Sequence, residues 1–173
     1  QKRVQFTREL VPVFQNFYNT ISDERENVRL EYSSQLQEEG MRKLLTDNME
    51  KDRILQYTSV GAHKDDLFLT IEGHPIKKSG SQGQQKTFLV ALKFAQFEFI
   101  KKIKEFPPIL LLDDIFDKFD QERVGQIIHL VSDNNFGQIF ITDTSEERLL
   151  NILNERNIDY RLFKVQENAK VTE

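Results

Sequence analysis

The chain has 173 residues, 38% of them hydrophobic and 30% charged, with a net charge of −4. That is enough apolar material for one domain with a core of its own, and it excludes a disordered polar chain. The bulk charge gives no argument for nucleic-acid binding, the absence of cysteine excludes disulfides and thiolate metal sites, and no apolar run approaches the roughly 20 residues of a bilayer span.

The opening residues, QKRVQFTREL, carry neither an initiator Met nor the apolar stretch of a signal peptide, so a fragment or a processed product is expected. Val4, Val11, Phe14, Tyr18 and Ile21 recur at helical spacing, and Pro12 predicts a kink or a fresh helix start. VRLEYSS alternates apolar and polar residues, the pattern of a half-buried strand. Ser34 with Gln37 forms a capping-box pattern, predicted to open a second helix through Leu36, Met41, Leu44, Leu45 and Met49.

LFLTIEGHPIKK reads as a β-hairpin turning at Gly73. KTFLVALKFAQFEFIKKIK is a long helix, apolar on most sides at its start, and such a helix is buried between layers. Its Phe88, Phe94, Phe97 and Phe99 read as core rather than as a platform for stacking bases. PPILLLD is a short continuous apolar run, expected of a central parallel strand. A helix near Gln121–Ser132, a buried strand at GQIFIT, a helix at SEERLLNILNER and a last strand at DYRLFKV follow. Strand, helix, strand, helix, strand is the order of a parallel α/β sheet.

Two stretches carry chemistry. ILLLDDIFDKFD, from Ile109 to Asp120, drives an apolar run into four aspartates. Ligands of open α/β sheets bind beyond the carboxyl ends of the strands, so this strand would deliver Asp113 and Asp114 to a cleft. That is the layout of a Walker B element, in which the first acid holds Mg²⁺ and the second orients or deprotonates the attacking water. Asp120 suits a crossing loop and equally a helix N-cap; Asp117 is read as structural.

SGSQGQQK, from Ser79 to Lys86, places Ser and Gly before a helix. The N-terminus of that helix would offer unpaired N–H groups and the positive end of its dipole to an anion. The Ser81 hydroxyl and the Gly83 backbone are the expected contacts to a terminal phosphate. Either stretch alone is common. Together, the Ser/Gly loop, long helix, apolar strand and double acid stand in the order of the second half of an ABC-type nucleotide-binding domain.

GAHKDDL (Gly61–Leu67), SQGQQ (Ser81–Gln85) and LLLDDIFDKFD resemble the RecF family of bacterial DNA-repair ATPases, relatives of SMC and Rad50 heads. The family pattern is G-P-H-R-D-D-L, S-Q-G-Q-Q and a double-Asp Walker B at matching spacing. The likeness covers most of the chain and about the second half of a full RecF-like protein. It implies an α/β fold, the second half of an ABC-type head with parallel strands flanked by helices, plus an N-terminal helical arm. Residues 1–56 would be that arm, 57–166 the ATPase portion and 167–173 a tail.

The resemblance further implies ATP and Mg²⁺ as ligands, with Asp113 on the metal and Asp114 as the catalytic acid. Ser81, Gln82, Gly83, Gln84, Gln85, Asp120 and Thr142 would contact nucleotide. Two full-length subunits would sandwich two ATP molecules as an ATP-dependent homodimer, hydrolyse them slowly and bind double-stranded or gapped DNA. RecR and RecO would be partners in loading RecA during DNA repair and the SOS response, in a cytoplasmic, nucleoid-associated setting without a membrane.

The chain departs from the pattern in three places. No G-x-x-x-x-G-K-[ST] occurs in it, so these residues alone are not expected to bind ATP with useful affinity. Ala62 and Lys64 replace Pro and Arg, and Lys86 replaces the Arg after the signature; Lys keeps the charge but not the bidentate fork. Thr142-Asp143-Thr144 stands where many ABC ATPases carry a His, so a hydroxyl is expected to serve instead, and Asp143 would repel phosphate unless it points away.

Other readings compete. One is a different SMC- or Rad50-like, or overcoming-lysogenization-type, ATPase head. Another is a non-catalytic interaction module. A third takes Asp113, Asp114 and Asp117 as the DDxxD of all-helical terpene synthases, which the β-like run before them disfavours. His63 is read as a structural hydrogen-bonding residue, and Asp65 and Asp66 as salt-bridge or turn residues.

Overall fold

The computed structural model describes residues 2–113, 119–132, 136–166 and 170–172. The chain divides into two compact units, Gln1–Phe99 and Ile100–Glu173.

In the first unit, α1 (Lys2–Ser22) continues through Pro12, so of the two expectations there, a kink or a fresh start, the fresh start does not occur. Proline removes one i→i−4 hydrogen bond. The buried stripe of Leu10, Phe14, Phe17, Tyr18 and Ile21 holds the helix together by tertiary packing instead. β1 (Val28–Ser33) has the expected alternation, with Val28 and Leu30 inside and Arg29 and Glu31 outside. It pairs antiparallel with β2 (Asp66–Ile71), from Val28 opposite Ile71 to Ser33 opposite Asp66. β2 returns as β3 (His74–Pro75) through Glu72 and Gly73, whose φ angles of 48° and 77° are those of a tight hairpin.

The expected second helix is broken into pieces. Ser34 does cap, accepting the Leu36 N–H, but it opens only a 3-10 turn, Gln35–Gln37. α2 (Met41–Asp47) and α3 (Met49–Leu55) follow separately. Gly40 is extended before α2. Asn48 donates its side-chain amide to the Leu44 carbonyl at 2.9 Å, the local competition with the helix ladder that ends helices at Asn.

After α4 (Ile76–Ser79) comes α5 (Gln82–Lys104), which opens ahead of the predicted Lys86. Its Phe88, Phe94 and Phe97 are buried, as the core reading requires, while Phe99 is only half-buried. Phe88 lies 4.5 Å from Phe14 and 5.8 Å from Tyr18, ring centre to ring centre, and Phe94 lies 5.5 Å from Phe17. These offset and edge-on contacts tie α5 to α1.

In the second unit, β4 (Leu110–Asp113) pairs parallel with β5 (Ile139–Thr142), Leu110 opposite Ile139 and Asp113 opposite Thr142. α6 (Gln121–Ser132) lies between the two strands in sequence, and α7 (Glu146–Glu155) follows β5. Leu110, Leu112, Val124, Ile127, Ile128, Val131, Phe136 and Leu153 are buried. A central strand at β4 and a buried one at β5 were expected, and the two are exposed at alternate positions. Leu111 is 68% exposed and Phe140 47%, because the pair is covered on one face only. The last expected strand is also corrected. Only β6 (Lys164–Gln166) forms, and it pairs antiparallel with β7 (Lys170–Thr172) rather than joining the parallel sheet. No described helix is long and apolar enough to cross a membrane.

Candidate functional site

β4 ends in Asp113, and the parallel register sets Thr142, the last residue of β5, directly beside it. The Thr142 hydroxyl donates to Asp113 Oδ1 at 2.5 Å, and both residues are exposed. A carboxylate offers about four acceptor positions, so this bond leaves Asp113 capacity for a cation. The strand tip thus presents a carboxylate and a hydroxyl, hard oxygen donors of the kind Mg²⁺ prefers. Among the described residues no group of three or more His, Asp or Glu is disposed to hold a metal on its own. Asp114 and Asp117 lie outside the described residues. Asp143 is turned to a local task, accepting the Ser145 N–H at 2.7 Å just before α7.

Asp120 caps α6. Its Oδ1 accepts the Arg123 N–H at 2.8 Å, and Oδ2 lies 3.3 Å from the Arg123 Nε. The capping role foreseen for it is therefore present. A cleft of about 370 Å³ lined by residues including Gln121, Gly125, Asn151 and Arg156 contains neither Asp113 nor Thr142.

The second motif is built in the first unit. Ser81 caps α5 through a reciprocal box: its N–H donates to Gln84 Oε1 at 2.8 Å, and the Gln84 N–H donates to Ser81 Oγ at 3.2 Å. Gln85 N–H closes the first turn onto the Ser81 carbonyl at 3.0 Å, and its side-chain amide donates to the Gly80 carbonyl at 2.9 Å. Among the described residues no acceptor takes the N–H groups of Gln82 and Gly83, which stand at the positive end of a 23-residue helix. The Ser81 oxygen is an acceptor in the box, and its hydroxyl hydrogen remains to be donated. Both ends of the Gln84 side-chain amide are engaged, the second by Glu26 at 2.9 Å.

GAHKDDL is a structural clamp. Gly61 has a φ of 117°, a conformation that favours glycine. Arg3 donates to the Ala62 carbonyl and to Asp65 Oδ2, each at 2.6 Å, and the Tyr32 hydroxyl donates to the same Oδ2 at 2.6 Å. The Asp65 carboxyl is held below the usual carboxylate range by the nearby Ser34 hydroxyl, the Tyr32 hydroxyl and Arg3. Ser34 does not close a full hydrogen bond, and Oδ1 is left without a partner. The His63 ring nitrogen Nε2 lies 2.9 Å from the Thr58 carbonyl, a structural contact as expected. Sequence reasoning missed Arg3 and Glu26, and read Tyr18 only as part of an apolar stripe. Arg3 and Glu26 lie far along the chain from the motifs they hold, and no local pattern marks them.

An acid–hydroxyl pair at parallel strand tips, with a capped Ser-Gln-Gly helix start earlier in the chain, defines the second half of an ABC-type ATPase head. No family model matches the chain. It is 48% identical over 169 residues to the DNA replication and repair protein RecF of Bacteroides thetaiotaomicron, covering 98% of this chain and 46% of that protein. Against RecF of Parabacteroides distasonis the identity is 52% over 166 residues, covering 96% and 46%. The solved structure of the recombination mediator protein RecF with ATP, of the RecFOR pathway, superposes with a TM-score of 0.63 at 28% identity, covering 84% of this chain and 40% of that one. A structure from work on ATP-driven dimerisation of SMC ATPases superposes at 0.58 with 16% identity, a likeness of fold alone. The chain belongs to the RecF family and corresponds to its C-terminal portion, spanning a little under half the length of the curated relatives it matches.

Proposed function

We propose that this chain supplies the signature, Walker B and D-loop elements of a RecF-type ATPase that dimerises on ATP. The Asp113–Thr142 pair at the carboxyl ends of β4 and β5 carries the reading. In it, Asp113 holds Mg²⁺ and Thr142 fixes the direction of the carboxylate. When bound, Mg²⁺ supplies positive charge against the phosphates. Asp114 orients the attacking water, and its side chain, one methylene shorter than Glu, suits slow hydrolysis. Ser81, with the N–H groups of Gln82 and Gly83, meets the terminal phosphate bound by a second copy. Gln85 and Asp120 complete the set of nucleotide contacts, and Gln84 serves it through the box it forms with Ser81.

The phosphate cradle with its Lys has no counterpart in these residues, so the reading requires it from elsewhere in the working protein. Residues 1–56 form the arm, 57–166 the ATPase portion and 167–173 the tail of this scheme. The dimer binds double-stranded or gapped DNA, works with RecR and RecO in RecA loading, and acts in the bacterial cytoplasm near the nucleoid. Support for the pathway is the name of the relatives and the RecFOR setting of the superposed structure.

The test compares a full-length RecF polypeptide carrying these residues with its Asp114→Asn variant. Wild type dimerises on ATP and turns it over slowly; the variant dimerises and stays dimeric without turnover. Normal hydrolysis by the variant removes Asp114 from the catalytic role.

A further inference from the structure

We propose that Glu26, which lies in none of the motifs, is a positioning residue for the signature loop and acts on it through Gln84. This role rests on the reading of Ser81–Gln85 as the element that meets a terminal phosphate, and it extends that reading to how the loop is held. Glu26 is half-buried in the connection between α1 and β1. Its Oε2 accepts the Tyr18 hydroxyl at 2.6 Å, and its Oε1 accepts the Gln84 side-chain amide at 2.9 Å. Tyr18 has no exposed surface, and its ring is packed with Phe14 and Phe88. The carboxylate is therefore anchored to the aromatic core at one oxygen and holds the signature at the other.

The chemistry of the pair fixes a direction. An ionised carboxylate only accepts hydrogen bonds. Gln84 must turn its NH₂ toward Glu26, and its Oε1 is then delivered to the Ser81 N–H. The terminal torsion of a glutamine is broad and roughly two-fold, so without Glu26 only the single bond from the Ser81 N–H selects the face of the amide, and that face is held less firmly. The box at the start of α5 would then be loosened, and with it the orientation of Ser81 that leaves its hydroxyl hydrogen available. Tyr18, Glu26, Gln84 and Ser81 form one line of hydrogen bonds from core to loop, and Gln84 serves the phosphate through Ser81.

The experiment uses the full-length polypeptide carrying these residues, with ATP and Mg²⁺. Dimerisation is measured by sedimentation, ATP affinity of the dilute monomer with a fluorescent ATP analogue, and melting temperature in parallel. Glu26→Ala is expected to weaken ATP-driven dimerisation roughly tenfold, the scale of one charge-assisted hydrogen bond, with monomer affinity unchanged and melting lowered modestly by loss of the Tyr18–Glu26 bond. Glu26→Gln, which keeps an acceptor for Gln84, is expected to stay within about threefold of wild type. Ser81→Arg serves as the control on the signature itself and is expected to abolish dimerisation. Unchanged dimerisation in Glu26→Ala beside a dead Ser81→Arg overturns the positioning role and leaves the signature reading standing. A fall in monomer affinity that parallels the loss of dimer in Glu26→Ala makes the residue merely structural and overturns the role as well. If Ser81→Arg still dimerises on ATP, the signature reading fails and the role of Glu26 fails with it.

Discussion

Thr142 donates its hydroxyl hydrogen to Asp113 across the parallel β4–β5 pair, at 2.5 Å. The parallel register makes the two residues neighbours although 29 positions separate them in the chain. A hydroxyl that bonds one carboxylate oxygen orients the other, the task that outer-shell partners perform at metal sites.

Removing that hydroxyl should therefore act on catalysis and not on folding. In the full-length protein, Thr142→Val is expected to lower ATP turnover roughly tenfold, the lower end of outer-shell effects, with Thr142→Ser close to wild type. Asp113→Asn should lose turnover altogether. The measurement is steady-state ATPase across a Mg²⁺ titration, where Thr142→Val should need more Mg²⁺. A Thr142→Val protein with a wild-type Mg²⁺ profile removes the orienting role.

Asp120 carries two readings that a pair of substitutions separates. As the cap of α6, its loss in Asp120→Ala should cost about 1 kcal/mol of stability, whereas Asn, an equally good cap, should cost little. Urea unfolding reads that difference. If Asp120 also serves in a dimer, Asp120→Asn will keep stability while ATP-driven dimerisation falls.

The strand–helix order of the second unit was legible in the sequence because each element there has its own period. Gln121–Ser132 and the β5 run stand where the apolar spacing puts them. The last strand was not legible. DYRLFKV has a strand's composition, but pairing is decided by what lies alongside, and β6 found β7. The arm was misread for a related reason. Met41, Leu45 and Met49 have helical spacing, yet all three are exposed, so no core pins one continuous helix past Asn48. At the site, the motif residues were visible because they are contiguous. Arg3 and Glu26 were not, since their partners Asp65 and Gln84 lie 62 and 58 residues away.

The Asp65 clamp predicts an acid limb in stability. Its carboxyl is held below its ordinary value in the fold, near 3.9 when unfolded. The folded state binds the proton less readily, so the contribution is complete above the unfolded value. It is lost as pH falls through the folded one. Melting temperature followed from about pH 6 down to about pH 2 should show a steeper fall in wild type than in Asp65→Asn. The two curves should converge at the acid end, and parallel curves would remove Asp65 from the acid response.

Gly80 sets how closely the signature loop approaches α4. A Cβ there would lie 2.8 Å from the Ile76 carbonyl oxygen and 2.8 Å from its Cγ1, and Ile76 is buried. The backbone angles of Gly80, φ −79° and ψ 139°, are open to any residue, so the restriction is one of space. Because one clashing atom is backbone and also accepts the Gly80 N–H at 2.9 Å, relief requires the loop to move. Gly80→Ala is therefore expected to cost about 1–3 kcal/mol, the usual range for overpacking. Gly40→Ala is the matched control, with nothing within 4 Å of its added carbon, and should stay within about 1 kcal/mol of wild type even with its change at a helix cap. Urea unfolding of the two variants gives the comparison. Since the Gly80 carbonyl also holds the Gln85 side chain, the shifted loop should carry Ser81 with it and weaken ATP-driven dimerisation in the full-length protein. A Gly80→Ala protein as stable as Gly40→Ala would mean that α4 yields freely, and the loop would then not be held by this contact.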